Sequence, residues 1–578
     1  MLKDSAENVL RDFRERSGEL RITEKRLSAL PKLLSALQGN EIRVESLCLK
    51  VPRKLLSQEE QNLSKLLCEI KSSSCLHEIN LEDTVSFQKS VMSEFEELLK
   101  RNCSTVKNLF SSNSTWMLEK TLFVLSEKNG LEKIELRNEI LDYKCTSLLA
   151  KIISKSETLK ELDFELSSDN QLNETLEEVV EAISRNHSIN TLVLSYFRPI
   201  KFPLVGNNSI ENLFFERCKF EAEAVQQLAD FFCRNCSVRK LRFGGFKKWV
   251  DCLPHNESLF ESLQKNETLL SLELENVEIG EEGSVQLSKF LRENGSLTQL
   301  ELSFCSIQSC SLLFEALKSN KVLKSLSFSN NKFENCAGFL LAQTIKENNS
   351  LETMNVSRNA FGESIHNILH SLISNRSIKT FDCEETMQNM SSHSSVVNLV
   401  SENRTLTKLG ISENRIPEKT CRGIFEAMEE NQTIKSLDIS GNCFDSQYLA
   451  IKKMLEANCT LKTFDMRSSN KNLLLKWKIA RQVRQELVEA IKSNCSLTKI
   501  EVSELTGSSE MAIRKEISLN KKIEEMDEKA KLSMMIIHKR KDGNLVCSVP
   551  RRLLIHLLSF LPRIKIDKSS LNQKLQLF

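Results

Sequence analysis

Glycine, proline and tyrosine are scarce in this sequence. Its 578 residues include 16 glycines, 8 prolines and 3 tyrosines. So few glycines leave little material for phosphate-binding loops, and no GxxxxGK[ST], GxSxG, HExxH or Rossmann GxGxxG pattern occurs. We therefore expect neither an enzyme nor a bound cofactor.

Long apolar runs and a strong excess of charge are also missing. No window approaches the ~18 uncharged apolar residues of a membrane helix, and Lys3, Asp4 and Glu7 interrupt the stretch that a secretory signal keeps apolar. The 80 basic residues nearly balance 78 acidic ones, so the net charge of +2 gives no general attraction to nucleic acid. These features predict a soluble, cytoplasmic protein whose 18 cysteines are reduced thiols.

Two short motifs suggest a metal site but are incomplete. Cys233 and Cys236 form a CxxC pair, and His366 and His370 lie four residues apart. A zinc site needs further ligands close by, and the sequence around either motif does not supply them. We expect no bound metal ion.

What the sequence does contain is a repeat. The apolar pattern Leu297-x-x-Leu300-x-Leu302 recurs in seventeen units at a mean interval near 28 residues. Leucine-rich repeats have periods of roughly 20 to 29 residues. The first apolar residues of the units are Val44, Leu76, Val106, Leu131, Leu159, Ile189, Ile210, Val238, Leu269, Leu297, Leu323, Leu351, Ile378, Leu406, Ile434, Leu461 and Leu497.

Helical spacing follows these patterns, for example at Leu312, Leu313, Ala316 and Leu317. After Ile189 the interval is short, and Pro199 and Pro203 predict an extended link instead of a helix. Each unit is then a strand, a turn and a helix, and stacked units bury the apolar side that one unit alone cannot. The sequence predicts an α/β leucine-rich-repeat solenoid, a curved horseshoe with a parallel β-sheet on the concave face and helices on the convex face. We expect an N-terminal helical cap at 1–43, about seventeen units at 44–505, and a C-terminal helical cap and tail at 506–578.

The segment from Val44 to Leu505 resembles ribonuclease-inhibitor-type leucine-rich-repeat proteins, notably in LKSLSFSNNKF, LETMNVSRNAF, LTKLGISENRI and IKSLDISGNCF. The resemblance implies a ladder of amides that satisfy backbone groups of the turns. It assigns this position to Asn331, Asn359, Asn414 and Asn442, with Cys218 and Cys305 as the usual substitutes. The sequence departs from the pattern at Val277, Phe197, Phe246 and Ser469.

This architecture serves many unrelated partners, so the resemblance implies protein binding without selecting a partner. We expect a non-enzymatic scaffold that binds a partner protein through the concave face. The alternatives are a direct inhibitor of a basic enzyme, an effector of an intracellular bacterium, or a substrate-recognition adaptor of a ubiquitin ligase. The adaptor hypothesis rests on VPRRLLIHLLSFLP at 549–562, which resembles the first helix of an F-box; a simple capping helix is the other interpretation.

Eleven N-x-[ST] sequons share one phase, because each asparagine lies three residues before the first apolar position of a unit. In a secreted protein such motifs accept glycans. Here each follows a helical stretch, and asparagine tolerates the left-handed conformation that ends many helices, so we interpret them as helix ends. The asparagines are Asn186, Asn207, Asn235, Asn266, Asn294, Asn348, Asn375, Asn403, Asn431, Asn458 and Asn494.

The outward face of the predicted sheet carries acidic residues. If the first apolar residue is position 1, positions 4 and 6 point into the core and positions 3, 5 and 7 point outward. From the fourth unit onward, eight of fourteen residues at position 5 are acidic. They either keep the face solvated or attract a basic partner protein, and the candidate binding residues among them are Glu273, Glu301, Asp382, Asp438, Asp465 and Glu501.

An aromatic patch interrupts the acidic positions. Aromatic residues and arginine are enriched in interface hot spots, so this patch is a second candidate binding site. Degenerate repeats that fill local gaps would produce the same composition. The patch consists of Tyr196, Phe197, Phe214, Arg242, Phe246 and Trp249.

We predict that Asn294 and the ten other sequon asparagines are unglycosylated in the natively expressed protein, because they serve helix ends. Intact-mass measurement before and after glycosidase treatment checks this. A mass loss on treatment would contradict the structural interpretation of the sequons.

Overall fold

The structure is a computed structural model. It describes most residues between the two ends of the chain and only part of each end. The described residues are 19–23, 44–51, 55–73, 76–84, 87–127, 130–139, 141–166, 176–196, 204, 206–245, 253, 255–307, 310–388, 390–444, 447–467, 481–494, 496–502, 508–525, 538–539 and 545–546. The chain divides into two compact units, Met1–Ala316 and Leu317–Phe578.

The first unit contains a parallel sheet in which each described strand pairs with the next in sequence. The pairing keeps repeat positions in register, as for Leu272 with Leu300 and Glu273 with Glu301. The strands are β1 (Glu19–Thr23), β2 (Ser46–Lys50), β3 (Glu78–Glu82), β4 (Asn108–Ser112), β5 (Lys133–Glu139), β6 (Glu161–Leu166), β7 (Thr191–Ser195), β8 (Asn212–Glu216), β9 (Lys240–Gly244), β10 (Ser271–Glu275) and β11 (Gln299–Ser303).

Helices alternate with these strands. As between β1 and β2, none of the described residues in the link between β7 and β8 is helical. Pro199 and Pro203 of this link lie outside the described residues. The helices are α1 (Ser57–Ser73), α2 (Lys89–Asn102), α3 (Thr115–Leu125), α4 (Tyr143–Lys155), α5 (Glu177–Arg185), α6 (Ala222–Arg234), α7 (Asn256–Leu263), α8 (Glu281–Glu293) and α9 (Cys310–Ser319), the last of which crosses the boundary between the units.

The second unit repeats the arrangement with shorter strands, again paired in parallel in sequence order from the first to the seventh. These strands are β12 (Ser325–Ser327), β13 (Thr353–Asn355), β14 (Thr380–Asp382), β15 (Lys408–Gly410), β16 (Ser436–Asp438), β17 (Thr463–Asp465) and β18 (Lys499–Glu501), and β19 (His538–Lys539) pairs with β20 (Leu545–Val546) in a separate antiparallel sheet. The helices are α10 (Asn335–Glu347), α11 (Ile365–Ser374), α12 (Ser394–Glu402), α13 (Glu418–Glu430), α14 (Tyr448–Ala457), α15 (Arg481–Ser493) and α16 (Ser508–Glu525), with a 3₁₀ turn at Gly362–Ser364.

The core lies between the sheet and the helices of each unit. Leu297, Leu300 and Leu302 expose 2% of their surface or less, as positions 1, 4 and 6 of the pattern predict. Burying an apolar side chain of this size contributes about 1.5–3 kcal/mol. Since one strand and one helix recur in register through each unit, the fold is a leucine-rich-repeat solenoid of the α/β class, as expected.

Ten of the sequon asparagines follow a helix and Asn207 follows the β7–β8 link, but their conformation differs from the expected one. Asn294 follows α8 with φ −70° and ψ 129°, and Asn348 follows α10 with φ −80° and ψ 128°. These angles are extended, so the left-handed conformation predicted from the sequence is wrong. All eleven asparagines are nevertheless buried, with 7% exposure or less.

Hydrogen bonds explain why asparagine is needed there. Oδ1 of Asn294 accepts from the backbone N–H groups of Ser296 and Leu297 at 2.9 and 2.8 Å, which turns the chain into the next strand. Nδ2 donates to the carbonyls of Leu263 and Asn266 in the preceding repeat at 3.1 and 2.7 Å. One amide therefore closes its own turn and ties two repeats together. We call this series the helix-end ladder.

A second ladder lies in the turns, at position 9, which is the position that the family resemblance assigns to asparagine or cysteine. Nδ2 of Asn359 donates to the carbonyls of Phe328 and Val356, and its Oδ1 accepts from the backbone N–H of Asn331. Cys218 and Cys305 place their thiols against carbonyls at the same position. The expected amide and thiol contacts are thus present in the turns.

Sequence reasoning missed one member of this turn ladder. Position 9 of the fourth repeat is Glu139, which is 1% exposed. Its carboxylate accepts hydrogen bonds from the hydroxyls of Ser111 and Thr115, each at 2.7 Å, and from the backbone N–H of Ser114. A carboxylate with three donors replaces the amide because both of its oxygens find partners.

The ends of the chain differ in part from the expected helical caps. Residues 1–43 contain β1, which pairs with β2 and extends the first unit's sheet by one strand. Alternating Leu20 and Ile22 face the core, although this segment lacks the full apolar pattern. At the other end α16 starts at Ser508, and Nδ2 of Asn520 donates to the carbonyls of Asn494 and Leu497.

We predict that Asn348→Asp lowers the free energy of unfolding by about 2 kcal/mol, the usual range for a buried hydrogen-bonding group that loses its partner. The substitution retains the acceptor but removes the Nδ2 donors to the carbonyls of Leu317 and Asn320. Urea denaturation of the full chain measures the effect.

The matched control is Asn349→Asp, since Asn349 is the exposed neighbour of Asn348 in sequence. We expect this control to stay within about 0.5 kcal/mol of wild type. Equal destabilisation by both substitutions would show that charge, and not the ladder, determines the result.

Candidate protein-binding site on the sheet face

A surface groove of 590 Å³ lies on the outward face of the first unit's sheet. Strands β5 to β10 contribute to it through positions 3, 5, 7 and 8 of their repeats. Its lining combines two apolar side chains, one tyrosine, one serine and seven charged residues. The lining residues are Arg137, Glu165, Val193, Ser195, Tyr196, Phe214, Glu216, Arg217, Lys240, Arg242 and Glu273.

Val193 and Phe214 form the floor of the groove. They are register partners on β7 and β8, so their side chains leave the sheet side by side. The next residue on β8, Phe215, points the opposite way and is 1% exposed. Its ring lies 5.0 Å from Phe220 and 5.2 Å from Phe243, centroid to centroid. The floor therefore rests on a packed aromatic core.

Tyr196 and Arg217 form one wall, where the chain leaves β7 and β8. Both residues have a left-handed backbone conformation, with φ of 59° and 57°. The Arg217 guanidinium lies over the Tyr196 ring at 5.4 Å from its centroid and also donates to the phenolic oxygen. The stacked pair presents an aromatic and a cationic group to the groove.

Arg242 lies at one side of the floor and is surrounded by carboxylates. Its guanidinium nitrogens lie 2.7 Å from Glu216, 3.0 Å from Glu273 and 3.0 Å from Glu275. Burial raises the pKa of Glu216, whereas the charge of Arg242 opposes that rise. A Cβ at Gly244 would come within 2.1 Å of a Glu216 oxygen, so glycine there leaves room for the cluster.

Arg137 makes the equivalent cluster on the other side of the floor. It donates to Glu135 at 2.9 Å, to Asp163 at 2.7 Å and to Glu165 at 3.2 Å. Oδ1 of Asp163 is buried and has no hydrogen-bond partner among the described residues. Burial raises the pKa of Asp163 to about 6; the Arg137 charge opposes the rise and Glu135 adds to it.

The sequence-predicted residues fall into three groups. Tyr196, Phe214, Arg242 and Glu273 line the groove, and Glu301 lies next to it because β11 pairs with β10. Asp382, Asp438, Asp465 and Glu501 belong to the second unit. The remaining members of the aromatic patch, Phe197, Phe246 and Trp249, lie outside the described residues.

In the second unit, protein groups already occupy the acidic positions. Asp382 accepts from the Ser357 hydroxyl at 3.0 Å, and Asp438 accepts from the Ser440 hydroxyl at 2.7 Å. Asp465 is paired with Arg467 at 2.6 Å. Each of these three carboxylates therefore has an intramolecular partner.

The carboxylates still influence one another across the strands. Asp438 and Asp465 are register partners, as are Asp465 and Glu501. Burial raises the pKa of Asp438, and the charges of Asp465 and Asp382 add to the rise. The carboxylates of neighbouring repeats are therefore adjacent in the sheet, and this adjacency disfavours ionisation of Asp438.

Sequence reasoning missed seven of the eleven groove residues: Arg137, Glu165, Val193, Ser195, Glu216, Arg217 and Lys240. A signal for Arg137 was available, because position 7 lies on the same face as the acids at position 5, two residues earlier. Which strand a long arginine reaches depends on its rotamer, and the repeat pattern does not specify that.

The structure shows no metal-ligand cluster among its described residues, where no three His, Cys, Asp or Glu side chains converge suitably. Cys233 and Cys236 are exposed free thiols. His366 contacts Glu363 at 3.0 Å and Ser395 at 2.9 Å. Across the same described residues, no helix is both long enough and apolar enough to cross a bilayer.

Comparisons with known proteins find leucine-rich-repeat relatives at low identity. No protein-family model matches the chain. It is 22% identical over 397 residues to NACHT, LRR and PYD domains-containing protein 4E of Mus musculus, a match that covers 66% of this chain and 35% of that protein. The match to NACHT, LRR and PYD domains-containing protein 13 of Homo sapiens is also 22% identical, over 463 residues, covering 78% and 39%.

The chain thus spans less than two fifths of the length of these curated relatives. Among solved structures it is similar to Leiomodin-1 Actin-Binding Site 2, with 24% identity, TM-score 0.17, and coverage of 18% of this chain and 61% of that one. The tropomodulin C-terminal domain of Caenorhabditis elegans gives 22% identity, TM-score 0.23, and coverage of 26% and 92%. TM-scores this low do not establish a common function.

We predict that Asp163→Asn stabilises the protein relative to wild type as pH rises from about 4 to above 6. The folded-state pKa of Asp163, about 6, exceeds the ordinary value of 3.8, so the folded chain holds this proton more tightly than the unfolded chain. Its contribution to stability is therefore fully present below about pH 4 and is lost through about pH 6. Thermal melting across this range measures the difference.

Glu82→Gln is the control of opposite sign. Burial works against ionisation of Glu82, but hydrogen bonds from Lys50 and Arg21 outweigh it and lower the pKa. Wild type should therefore gain on this variant as pH rises through the ordinary carboxylate range. Identical pH trends for the two variants would contradict the assignment of Asp163.

Proposed function

We propose that this chain is a non-enzymatic scaffold that binds a partner protein through the sheet face of its first unit, with Phe214 at the centre of the contact. One observation supports the proposal most directly: Val193 and Phe214 form an apolar floor on a strand face whose other groove-lining groups are mainly charged. The similarity to leucine-rich-repeat proteins supports protein binding in general.

The energetics favour a hot spot at this floor. An aromatic side chain can bury 150–250 Å² at an interface, roughly, and hot spots concentrate in apolar centres surrounded by groups that exclude water. The Arg137 and Arg242 clusters surround Phe214 on two sides. Because their carboxylates already hold both arginines, a partner would lose little side-chain entropy in ordering them.

The partner we propose has a basic surface. Among the described residues, Asp382 and Asp438 are hydrogen-bonded by hydroxyl groups rather than by cations. Burial and neighbouring acids raise the pKa of Asp438. A cation from a partner would favour the ionised form of this side chain. In each unit taken by itself, the acidic positions would accelerate association at low salt; they include Glu273 and Glu301 in the first unit and Asp465 and Glu501 in the second.

The proposal also covers the repeat subtype, the capping segments and the location in the cell. We infer a ribonuclease-inhibitor-type solenoid over 44–505, with capping segments at 1–43 and 506–578, in a cytoplasmic protein. The unit lengths and the turn ladder at position 9 support that subtype. The F-box-like segment 549–562 lies outside the described residues, so no structural observation favours the adaptor function.

We predict that Phe214→Ala weakens binding of the native partner by about 2 kcal/mol or more, which is roughly a 30-fold rise in Kd. Affinity capture with quantitative mass spectrometry identifies the partner on the wild-type chain. Titration calorimetry with that purified partner then measures both chains, and thermal melting confirms that they are folded.

Phe110→Ala is the matched control. Phe110 is also a half-buried aromatic at position 5, on β4, and it does not line the groove. Its substitution should leave affinity within about twofold of wild type. A Phe214→Ala chain that binds normally but melts lower would show that the floor is only structural.

A further inference from the structure

Carboxylates lie on both sides of the apolar floor in the direction that crosses the strands. On one side Arg137 is held by Glu135, Asp163 and Glu165. Lys133 and Glu161 lie on the same side and pair at 3.1 Å. Their charges cancel, so the excess of carboxylates around Arg137 is unchanged. One positive guanidinium among three carboxylates gives this flank a net charge of −2 when all are ionised.

The opposite flank is acidic in the same way. Arg242 is held by Glu216, Glu273 and Glu275. The adjacent strand β11 adds Glu301, which is exposed and hydrogen-bonded by the Ser303 hydroxyl. Three carboxylates therefore hold one guanidinium here, and a fourth lies on the next strand.

Cations lie at the two ends of the groove along the strand direction. Lys240 is at the start of β9, and Arg217 follows the end of β8. A basic segment laid along the strands would meet these cations, whereas one laid across the strands would meet acids on both sides of the floor. Charge complementarity thus favours the crossing direction.

The arginines of the groove do not make it an anion site. Both guanidinium groups of the clusters already contact three carboxylates each, and an added phosphate or acidic side chain would face that excess of negative charge. Removing one carboxylate from an arginine also costs its charge-assisted hydrogen bond. The occupant must be cationic at its ends and apolar at its centre.

Resting on the proposed function, we infer that the groove binds a protein segment with one apolar or aromatic anchor between two basic residues, laid across strands β6 to β10. Four strand spacings of about 4.8 Å separate β6 from β10, roughly 19 Å. An extended chain rises about 3.3 Å per residue, so the two basic residues lie about six positions apart. A Lys-x-x-Phe-x-x-Lys pattern meets this requirement.

Synthetic peptides test the inference on the full-length chain. Three fluorescein-labelled peptides share a Gly-Ser background: one carries Lys-x-x-Phe-x-x-Lys, one replaces both lysines by glutamate, and one replaces the phenylalanine by serine. Fluorescence anisotropy at low salt should show at least about tenfold tighter binding of the first peptide than of either other. Binding of the glutamate peptide at equal affinity would overturn the inference.

A variant pair locates the binding site. Glu165→Gln with Glu301→Gln removes one charge from each flank and should weaken the lysine peptide at least about fivefold. The control Glu82→Gln removes a carboxylate on β3 that is paired with Arg21 and lies away from the groove. This substitution should change the affinity for the lysine peptide less than twofold. An unchanged affinity in the double variant would also overturn the inference.

The two proposals fail separately. If Phe214→Ala abolishes native-partner binding while the three peptides bind alike, the groove binds a protein but the basic, apolar, basic pattern is wrong. If the lysine peptide binds through Glu165 and Glu301 while native-partner binding ignores Phe214, the groove recognises this chemistry but is not the main interface.

Discussion

A buried asparagine amide in the turn before the strand of each repeat from Ile189 to Leu497 is the interaction on which the rest of the structure depends. Backbone groups that leave a helix and enter a buried strand have no regular partner, and an unsatisfied buried group costs about 1–3 kcal/mol. In the repeat of Asn294, one side chain satisfies two N–H groups of its own turn and two carbonyls of the preceding repeat. Because the turn is fixed, the strand starts in register. Register in turn brings position 5 of each repeat beside position 5 of the next, which is what builds a groove from residues far apart in sequence.

Much of this fold follows from the sequence because its determinants are local. The pattern around Leu297 predicts one strand and its buried side, and the spacing after it predicts a helix. The phase of the sequons predicts helix ends, but the left-handed conformation was wrong, since the extended asparagine is selected by bonds to a neighbouring repeat. Strand β1 was missed for a similar reason. Leu20 and Ile22 are enough to complete an edge that β2 already presents, without the full apolar pattern.

The site could be predicted in outline only. Alternation along a strand places Phe214 and Glu273 on the outward face, and the sequence supports both assignments. It does not show that Arg242 reaches carboxylates on β8 and β10, or that Arg137 joins two strands. These pairings change the character of the face: acids that appear open in sequence hold arginines in place. The remaining negative charge, and not the count of acidic residues, is what an approaching surface would encounter.

The hydrogen bonds of the helix-end ladder join neighbouring repeats whatever the length of chain between their asparagines. Asn207 bonds the carbonyl of Asn186, 21 residues away, and Asn494 makes the same bond to Asn458 across 36 residues. The chain between two such asparagines can therefore grow or shrink without changing how the repeats join. An insertion or deletion in that stretch would change the outer layer of one repeat. The order of the strands would stay the same, provided that both asparagines remain.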